Sequence, residues 1–255
     1  APPRRRTTLR PHHKTSANEN GNGPILPEMS STVYVANPGN TQETAHYILA
    51  VWNTYKWSGD TALLRDLYPY MKKGIEWLLT TRDRNGNLFP EGPGIMEVQG
   101  LDVELIDVAV YTQQALEAMS QMAAELGEPA ALVSAYREKA DTLKKRINTL
   151  FWDDSDGLYG DFFGSKEQML NVCKGAMYQL ETYRREGFEV SEDKISYYKK
   201  LAEKAAREKD HTQRCWFSNK NWVISTPLEV GIAPRERALD QLDKVREYHC
   251  SEFGP

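Results

Sequence analysis

Five carboxyl groups lie close together where a Gly/Pro-rich loop leads into a predicted helix. Glu91 and Glu97 stand in the loop EGPGIMEVQG, and Asp102, Glu104 and Asp107 are predicted on the first two turns of the helix that follows. The glycines and prolines of the loop supply unusual backbone shape rather than packing, which indicates a role other than core building. Carboxyl groups placed in this way can act as general acid and general base.

Glu97 is the carboxyl group best suited to donate a proton. It stands between Met96 and Val98 in a loop with little other charge, and apolar surroundings favour the protonated form of a carboxyl group. Asp102 and Glu104 have a second interpretation, because acidic residues at the start of a helix interact favourably with its dipole.

Length and composition are those of an ordinary globular chain. Its 255 residues are 40% hydrophobic and 27% charged, which is enough for one large domain. The net charge of -4 comes from 32 basic and 36 acidic residues that are interspersed, which argues against nucleic acid or an anionic membrane surface as the main partner. Residues 1–14 are basic, but their prolines favour an extended lead-in over a nucleic-acid arm.

The sequence predicts neither a membrane span nor a cofactor or metal site. It contains no run of about eighteen apolar residues, and localisation stays open between the cytoplasm and export with signal removal. Cys173, Cys215 and Cys250 are far apart and form no CxxC pair. No short ligand repeat supports a metal site that would combine Cys215 and Cys250 with His211 and His249. Motifs of serine hydrolases, zincins, P-loops and dinucleotide folds are missing.

Hydrophobic residues at spacings of three and four predict helices along most of the chain after residue 40. Residues 1–40 are predicted to form an extended or loop lead-in, because residues 15–40 are rich in Asn, Gly, Ser and Pro. Gly59 is expected to end the first helix and Asp60 to cap the second. The predicted helices are 41–59, 60–81, 101–126, 130–152, 166–186, 192–209 and one entered through Pro234.

The predicted helices form pairs joined alternately by short turns and long loops. Such pairs stack in an open solenoid or close in a ring. A solenoid would show a fixed sequence repeat, which this chain lacks, so the uneven loops favour the ring. Residues 41–255 are therefore predicted as one helical-hairpin domain whose long loops gather at one end.

Four segments in order resemble a known family. The first, AHYILAVWNTYKWSGDTALLRDLYPYMKKGIEWLL, carries the pattern W-x-G-D-x-x-x-L-R-x-L-Y-P from Trp57 to Pro69. The others are LDVELIDVAVYTQQALEAM, LFWDDSDGLYGD and NWVISTPLEVGIAPRERALDQLDKV. Over roughly residues 24–255 the chain resembles six-hairpin glycosidases, most nearly the glycogen-debranching amylo-alpha-1,6-glucosidase group, with trehalases and processing glucosidases as cousins.

The resemblance implies an all-α (α/α)6 toroid that hydrolyses an alpha-glucoside or related glycan with inversion. The general acid of the family carries over to Glu97, with Glu91 as runner-up, although the close relatives have aspartate at this place. An inverting enzyme needs its second carboxyl group about 6.5–9.5 Å from the first. Glu252 is the candidate base, and a solvated terminal acid is its alternative interpretation.

A carbohydrate is the expected partner, and two kinds of side chain are candidates for binding it. Aromatic rings stack on the apolar faces of sugars, although core packing is the more typical role for Trp57, Trp77 and Trp152. A polar cluster at the start of the first helix faces the pocket in the resembling family. The candidate substrate-binding residues are Glu28, Gln42, Glu43, His46, Trp52, Phe89, Glu104, Trp216 and Trp222.

The predicted helices are fewer than the twelve of a closed toroid. We therefore expect this chain to form an incomplete toroid, which a second chain or a missing segment would complete and which could be inactive alone. The alternative function is a non-catalytic carbohydrate-binding or scaffolding domain on the same fold. A sugar epimerase or lyase is disfavoured, because such enzymes need a histidine pair or a lysine or tyrosine base.

Overall fold

Most of the chain after residue 40 is described by the computed structural model, which covers residues 41–92, 94–95, 101–209, 212–218, 220 and 222–248. The predicted lead-in at residues 1–40 lies outside these ranges. Within them the structure is mainly helical, as expected for an all-α chain. In chain order the helices are α1 Thr41–Ser58, α2 Thr61–Thr80, α3 Ile106–Glu125, α4 Ala130–Leu150, α5 Lys166–Arg185, α6 Glu192–Arg207, α7 Thr226–Glu229 and α8 Arg235–Tyr248.

Short strands connect several of these helices. They are β1 Glu91–Gly92, β2 Val103–Leu105, β3 Trp152–Asp153, β4 Leu158–Tyr159, β5 Phe162–Gly164 and β6 Arg214–Trp216. A 3-10 turn at Trp222–Ser225 precedes α7. No helix in the described ranges is long and apolar enough to cross a membrane.

The boundary between α1 and α2 follows the predicted cap residues. Gly59 has a φ of +64°, a left-handed conformation that glycine adopts at little cost after a helix. The Asp60 carboxylate then accepts a hydrogen bond of 3.0 Å from the Leu63 N–H, which satisfies one of the free donors at the start of α2. The prediction for this turn is confirmed.

The predicted start of the third helix at Leu101 is wrong. Residues Val103–Leu105 form strand β2, and α3 begins only at Ile106. Strand β2 pairs antiparallel with β5, with Glu104 opposite Phe163 and Leu105 opposite Phe162. Pairing with a strand some sixty residues away therefore overrides the local helical period, and Glu104 lies on a strand rather than on a helix.

The contacts within the chain divide it into two compact units. Unit 1 consists of residues 1–95 and 108–145, and its helices α1 and α2 pack on each other. Unit 2 consists of residues 96–107 and 146–255. In unit 2, strand β5 pairs with both β2 and β6, strands β3 and β4 form a hairpin, and α5 packs on α6.

The tryptophans do not all follow the expected core assignment. Trp77 on α2 is 6% exposed and confirms it, whereas Trp57 in the last turn of α1 is 86% exposed. The assignment of Trp57 to the core is therefore wrong. Trp57 lies directly before the turn at Gly59, where the side chain leaves the face that α1 packs on α2. Trp152 on β3 is half-buried.

Candidate functional site

Three of the predicted polar residues lie on the first two turns of α1 in unit 1. Gln42 is buried, and Glu43 and His46 are half-buried. Gln42 and His46 are four residues apart, so they share one face of the helix. The His46 ring meets the ring of Tyr111 from α3 edge-on, with the ring centroids 4.2 Å apart. The imidazole is thereby held in place beside Gln42.

Some buried polar atoms of α1 and α3 in unit 1 lack a partner among the described residues. They include Gln42 Oε1 and the hydroxyl oxygens of Thr44 and Thr112. Buried polar atoms are normally hydrogen-bonded. The described part of unit 1 therefore leaves hydrogen-bonding capacity that a ligand, water or another part of the chain would use.

Glu91 is held in strand β1 by its backbone and by a cation. Its N–H donates a 2.7 Å hydrogen bond to the Arg82 carbonyl. Its carboxylate oxygen Oε2 lies 3.3 Å from Arg84 Nε. Glu91 itself is only 8% exposed, so the guanidinium group compensates a carboxylate that is largely removed from water.

Gly92, the residue after Glu91, lies close to the start of α1. Its φ of +150° favours glycine, and a Cβ there would lie 3.0 Å from Thr41 Cγ2 and would collide with the Arg82 guanidinium group. Only a residue without a side chain lets the strand approach α1 this closely. The structure therefore places Gly92, the residue after Glu91, close to Thr41 at the start of α1.

The loop before Glu91 is closed by its own polar side chains. Asp83 accepts hydrogen bonds from the Asn87 and Leu88 N–H groups, each of 2.9 Å. Asp83, Asn85 and Asn87 have the alternating spacing of the first ligands in a calcium loop. The twelfth position, which needs a bidentate glutamate, is Gly94. The described residues contain no group of three His, Cys, Asp or Glu side chains suited to a metal.

Two aromatic candidates of unit 1 lie away from the turn that carries Gln42. Trp52 stacks on Tyr55 with centroids 5.3 Å apart, and its indole N–H donates to Gln121. Ten residues separate it from Gln42, which is about 15 Å along a helix. Phe89 has no exposed surface, so its ring packs in the core rather than facing solvent.

The other predicted carboxylates belong to unit 2. Glu104 on β2 is 1% exposed, and Asp107 in the first turn of α3 is fully buried. Asp102, in contrast, is exposed. Burial of an ionised carboxylate is costly unless it is paired or hydrogen-bonded, so the two buried acids are fixed features of this unit rather than solvated helix-start residues.

The register of the strands separates Glu104 from Trp216. Glu104 lies opposite Phe163 on β5, and Phe163 lies opposite Cys215 on β6. Residues directly opposite share one face of a sheet, whereas Trp216, next to Cys215, points to the other. Trp216 is 6% exposed, and the Arg214 guanidinium group lies 4.0 Å from its ring centroid. Glu104 and Trp216 therefore face different surroundings.

Cys215 shares the face of Glu104 and is not an activated thiol. Burial, with a smaller contribution from the charge of Asp153, raises its pKa to about 11. Burial also raises the pKa of Cys173 to about 11. Both are free cysteines, and a nucleophilic thiol needs a lowered pKa.

Asp161 is a buried acid that our sequence reasoning missed. It is fully buried between β4 and β5, and it accepts hydrogen bonds from Ser218 and Lys220. In the sequence it stands in the turn WDDSDGLYGDFF beside three other aspartates. Only its place between Gly160 and two phenylalanines distinguished it, because aspartate is rare inside an apolar strand.

Trp222 is the most accessible of the predicted aromatic binding residues. It opens the 3-10 turn at residues 222–225 and is 56% exposed. The other candidates Glu97, Glu252 and Glu28 lie outside the described residues. Their positions therefore stay predictions.

The sequence model of one protein family matches residues 6–173, about two thirds of the chain, and it describes the bacterial alpha-L-rhamnosidase 6 hairpin glycosidase domain. The chain belongs to this family. The match confirms the six-hairpin glycosidase resemblance and the all-α fold class. The narrower likeness to amylo-alpha-1,6-glucosidases is not confirmed. No curated protein matches the chain.

Solved structures with some similarity include two rhamnosidases and an isomerase. A GH78 family rhamnosidase of Bacillus sp. GL1 is 17% identical, with a TM-score of 0.42 over 81% of this chain and 21% of that one. A rhamnosidase from Klebsiella oxytoca with rhamnose bound is 13% identical, with a TM-score of 0.41 over 82% and 37%. A D-mannose isomerase is 12% identical, with a TM-score of 0.41 over 80% and 50%. The chain thus spans half or less of each of these proteins.

Proposed function

We propose that this chain is the helical domain of a glycosidase that hydrolyses an alpha-linked sugar with inversion. The observation that supports this proposal is the family match over residues 6–173. The family name makes an alpha-L-rhamnoside the first substrate to test. An alpha-D-glucoside, which the sequence resemblance suggests, is the second.

The proposed acid and base roles rest on the structure around Glu91 and on the sequence around Glu97. Glu91 lies 3.3 Å from Arg84, and a guanidinium partner favours the ionised form that accepts hydrogen bonds from a sugar hydroxyl or a water. A proton donor needs surroundings with little charge, and Glu97 stands between Met96 and Val98 in the sequence, so we assign the general acid to Glu97. Glu252 is the proposed base. In this scheme the acid protonates the leaving oxygen while the base activates a water on the opposite face of the sugar.

The polar face of α1 is the proposed place for sugar hydroxyl groups. Gln42, Glu43 and His46 lie on its first two turns, and Gln42 Oε1 has no partner among the described residues. Amide and carboxylate oxygens accept hydrogen bonds from hydroxyl groups. Glu104 and Trp222 are proposed as further substrate contacts.

The proposal is tested by turnover of aryl glycosides by the intact protein. We expect release of aglycone from the alpha-L-rhamnoside, and a fall of about a hundredfold to ten-thousandfold in kcat for Glu97→Gln. Glu128→Gln is the control, because it makes the same Glu-to-Gln change at a residue with no proposed role in catalysis or binding. Sugar binding without turnover in the unaltered protein would instead identify a non-catalytic carbohydrate-binding domain.

A further inference from the structure

The carboxylate of Asp161 holds a segment of unit 2 that leads to an exposed tryptophan. Its oxygen Oδ2 accepts hydrogen bonds from the Ser218 N–H, from the Ser218 hydroxyl at 3.1 Å and from the Lys220 N–H at 3.2 Å. Asp161 is fully buried and Ser218 is 2% exposed. Three donors on one buried oxygen make these bonds strong, because each is assisted by charge.

The backbone of Asp161 adds two further connections. Its N–H donates to the Trp216 carbonyl at 2.8 Å, and its carbonyl accepts from the Ile106 N–H at 3.0 Å. Lys220 has a φ of +50°, a conformation that non-glycine residues keep only with support from their surroundings. The hydrogen bond from Lys220 to Asp161 supplies such support.

Trp222 follows this segment on a turn that is anchored in the core. Val223 and Ile224 are at most 1% exposed, and the Gln241 side chain donates a 2.9 Å hydrogen bond to the Ile224 carbonyl. Trp222 itself is 56% exposed. A large ring fixed on a rigid turn and open to solvent suits stacking on the apolar face of a sugar.

We propose that Asp161 is a positioning residue for substrate binding: its carboxylate holds Ser218 and Lys220, so that the ring of Trp222 is presented to the sugar. Asp161 touches neither the sugar nor the reacting atoms. The inference rests on the proposed function, because it takes a carbohydrate as the ligand of Trp222.

The test is a double-mutant cycle on the binding of free L-rhamnose, measured by calorimetry on the intact protein. We expect Trp222→Ala and Asp161→Asn each to raise the Kd by about threefold to tenfold. The double variant should bind L-rhamnose no more weakly than the weaker-binding single variant, because both changes remove the same ring contact. A purely structural role would instead give effects that multiply, or an unchanged Kd in Asp161→Asn, and either result would overturn the proposal.

A second variant and a second readout keep the test decisive if Asp161→Asn does not fold. Ser218→Ala removes only the hydroxyl donor and should raise the Kd by about twofold to threefold in the presence of Trp222 and not in its absence. Hydrogen exchange of residues 216–224 should become faster in Asp161→Asn and in Ser218→Ala. Unchanged exchange there would also overturn the proposal.

The outcomes separate this inference from the proposed hydrolysis. Binding of L-rhamnose with the expected cycle, but without turnover of any glycoside, would refute only the hydrolysis. Turnover of a glycoside, together with effects of Trp222→Ala and Asp161→Asn on the Kd that multiply, would refute only the role of Asp161. If the unaltered protein does not bind L-rhamnose, the role of Asp161 is refuted whatever the turnover assay shows.

Discussion

Two buried carboxylates, Glu91 in unit 1 and Asp161 in unit 2, are compensated in different ways. Glu91 is paired with Arg84, whose side chain is 48% exposed. Asp161 is surrounded by uncharged N–H and O–H donors from Ser218 and Lys220. The first acid is paired with a long side chain at the surface, and the second accepts hydrogen bonds from two backbone N–H groups and one short side chain.

This difference indicates different roles. An exposed guanidinium group can reorient when a ligand arrives, so Glu91 can exchange its partner for a sugar hydroxyl or a water. Asp161 has no such freedom, because its donors belong to the folded segment itself. Unit 1 therefore offers an adjustable acid, and unit 2 offers a fixed one.

The largest expected effect comes from removing the fixed acid. Asp161→Ala leaves the two buried donors of Ser218 and the half-buried Lys220 N–H without their acceptor, which should lower the free energy of unfolding by about 3 kcal/mol or more. Urea denaturation measures this change. Asp240→Ala, at an exposed position of α8, is the control and should stay within about 0.5 kcal/mol. If Asp161→Ala lowers the free energy of unfolding no more than the control does, Asp161 is not a fixed acid of this kind.

A pair of glycine substitutions compares how each unit tolerates added volume. A Cβ at Gly160 would lie 2.9 Å from Cys215 Cβ and 3.0 Å from the Trp216 carbonyl oxygen, so Gly160→Ala should cost about 2 kcal/mol. At Gly92 the closest atom is the flexible end of Arg82, which can move, so Gly92→Ala should cost less, about 1 kcal/mol, mainly from backbone strain at a φ of +150°. Thermal denaturation of the two variants tests the order, and the reverse order would contradict it.

Alkaline pH should weaken unit 2 before unit 1. Burial raises the pKa of Cys173 and Cys215 from 9.0 to about 11, so the folded state keeps both thiols protonated where the unfolded chain is ionised. The contribution of the protonated thiols to the free energy of unfolding is complete below pH 9 and is lost as the pH rises to about 11. This loss amounts to roughly 1–2 kcal/mol for each thiol. In unit 1, burial raises the pKa of Tyr47 from 10.0 to about 12. The stability that depends on its protonated hydroxyl group is therefore lost at a higher pH.

Urea denaturation at pH 8 and pH 10.5 measures this loss of stability. Cys173→Ala should make the unfolding free energy less dependent on pH in this range. An unchanged pH dependence in that variant would show that the thiol does not carry the effect.

The smallest effect on stability is expected for the adjustable acid. Glu91→Gln removes one ion pair whose arginine is half exposed, so the free energy of unfolding should change by about 1 kcal/mol or less. Turnover should fall more clearly, because the amide cannot replace the negative charge. Denaturation and kinetics on the same preparation separate the two effects, and a large loss of stability would place Glu91 with the fixed acids.

The sequence predicts local features of this fold better than long-range ones. The turn at Gly59 and Asp60 is correct because its signals lie within a few neighbouring residues. Strand β2 was missed because its pairing partner, β5, is distant in the sequence, and the alternation in Val103–Leu105 is too short to compete with the helical period.

The candidate site shows the same limit. The polar residues of α1 could be found from their place at a helix start, and the structure places Gly92, next to Glu91, close to Thr41 at that start. The proposed role of Asp161 could not be found from the sequence, because it depends on hydrogen bonds to residues 218 and 220. The exposure of Trp57 was likewise invisible, since a helical period does not show where a helix leaves its packing partner.

The most direct test of the central claim is the stereochemistry of hydrolysis, followed by proton NMR on the intact protein with an aryl alpha-L-rhamnoside. Our account predicts that the first sugar released is the beta anomer, and that Glu97→Gln abolishes this release while L-rhamnose still binds. Release of the alpha anomer, or full turnover by Glu97→Gln, would contradict an inverting mechanism with Glu97 as its acid.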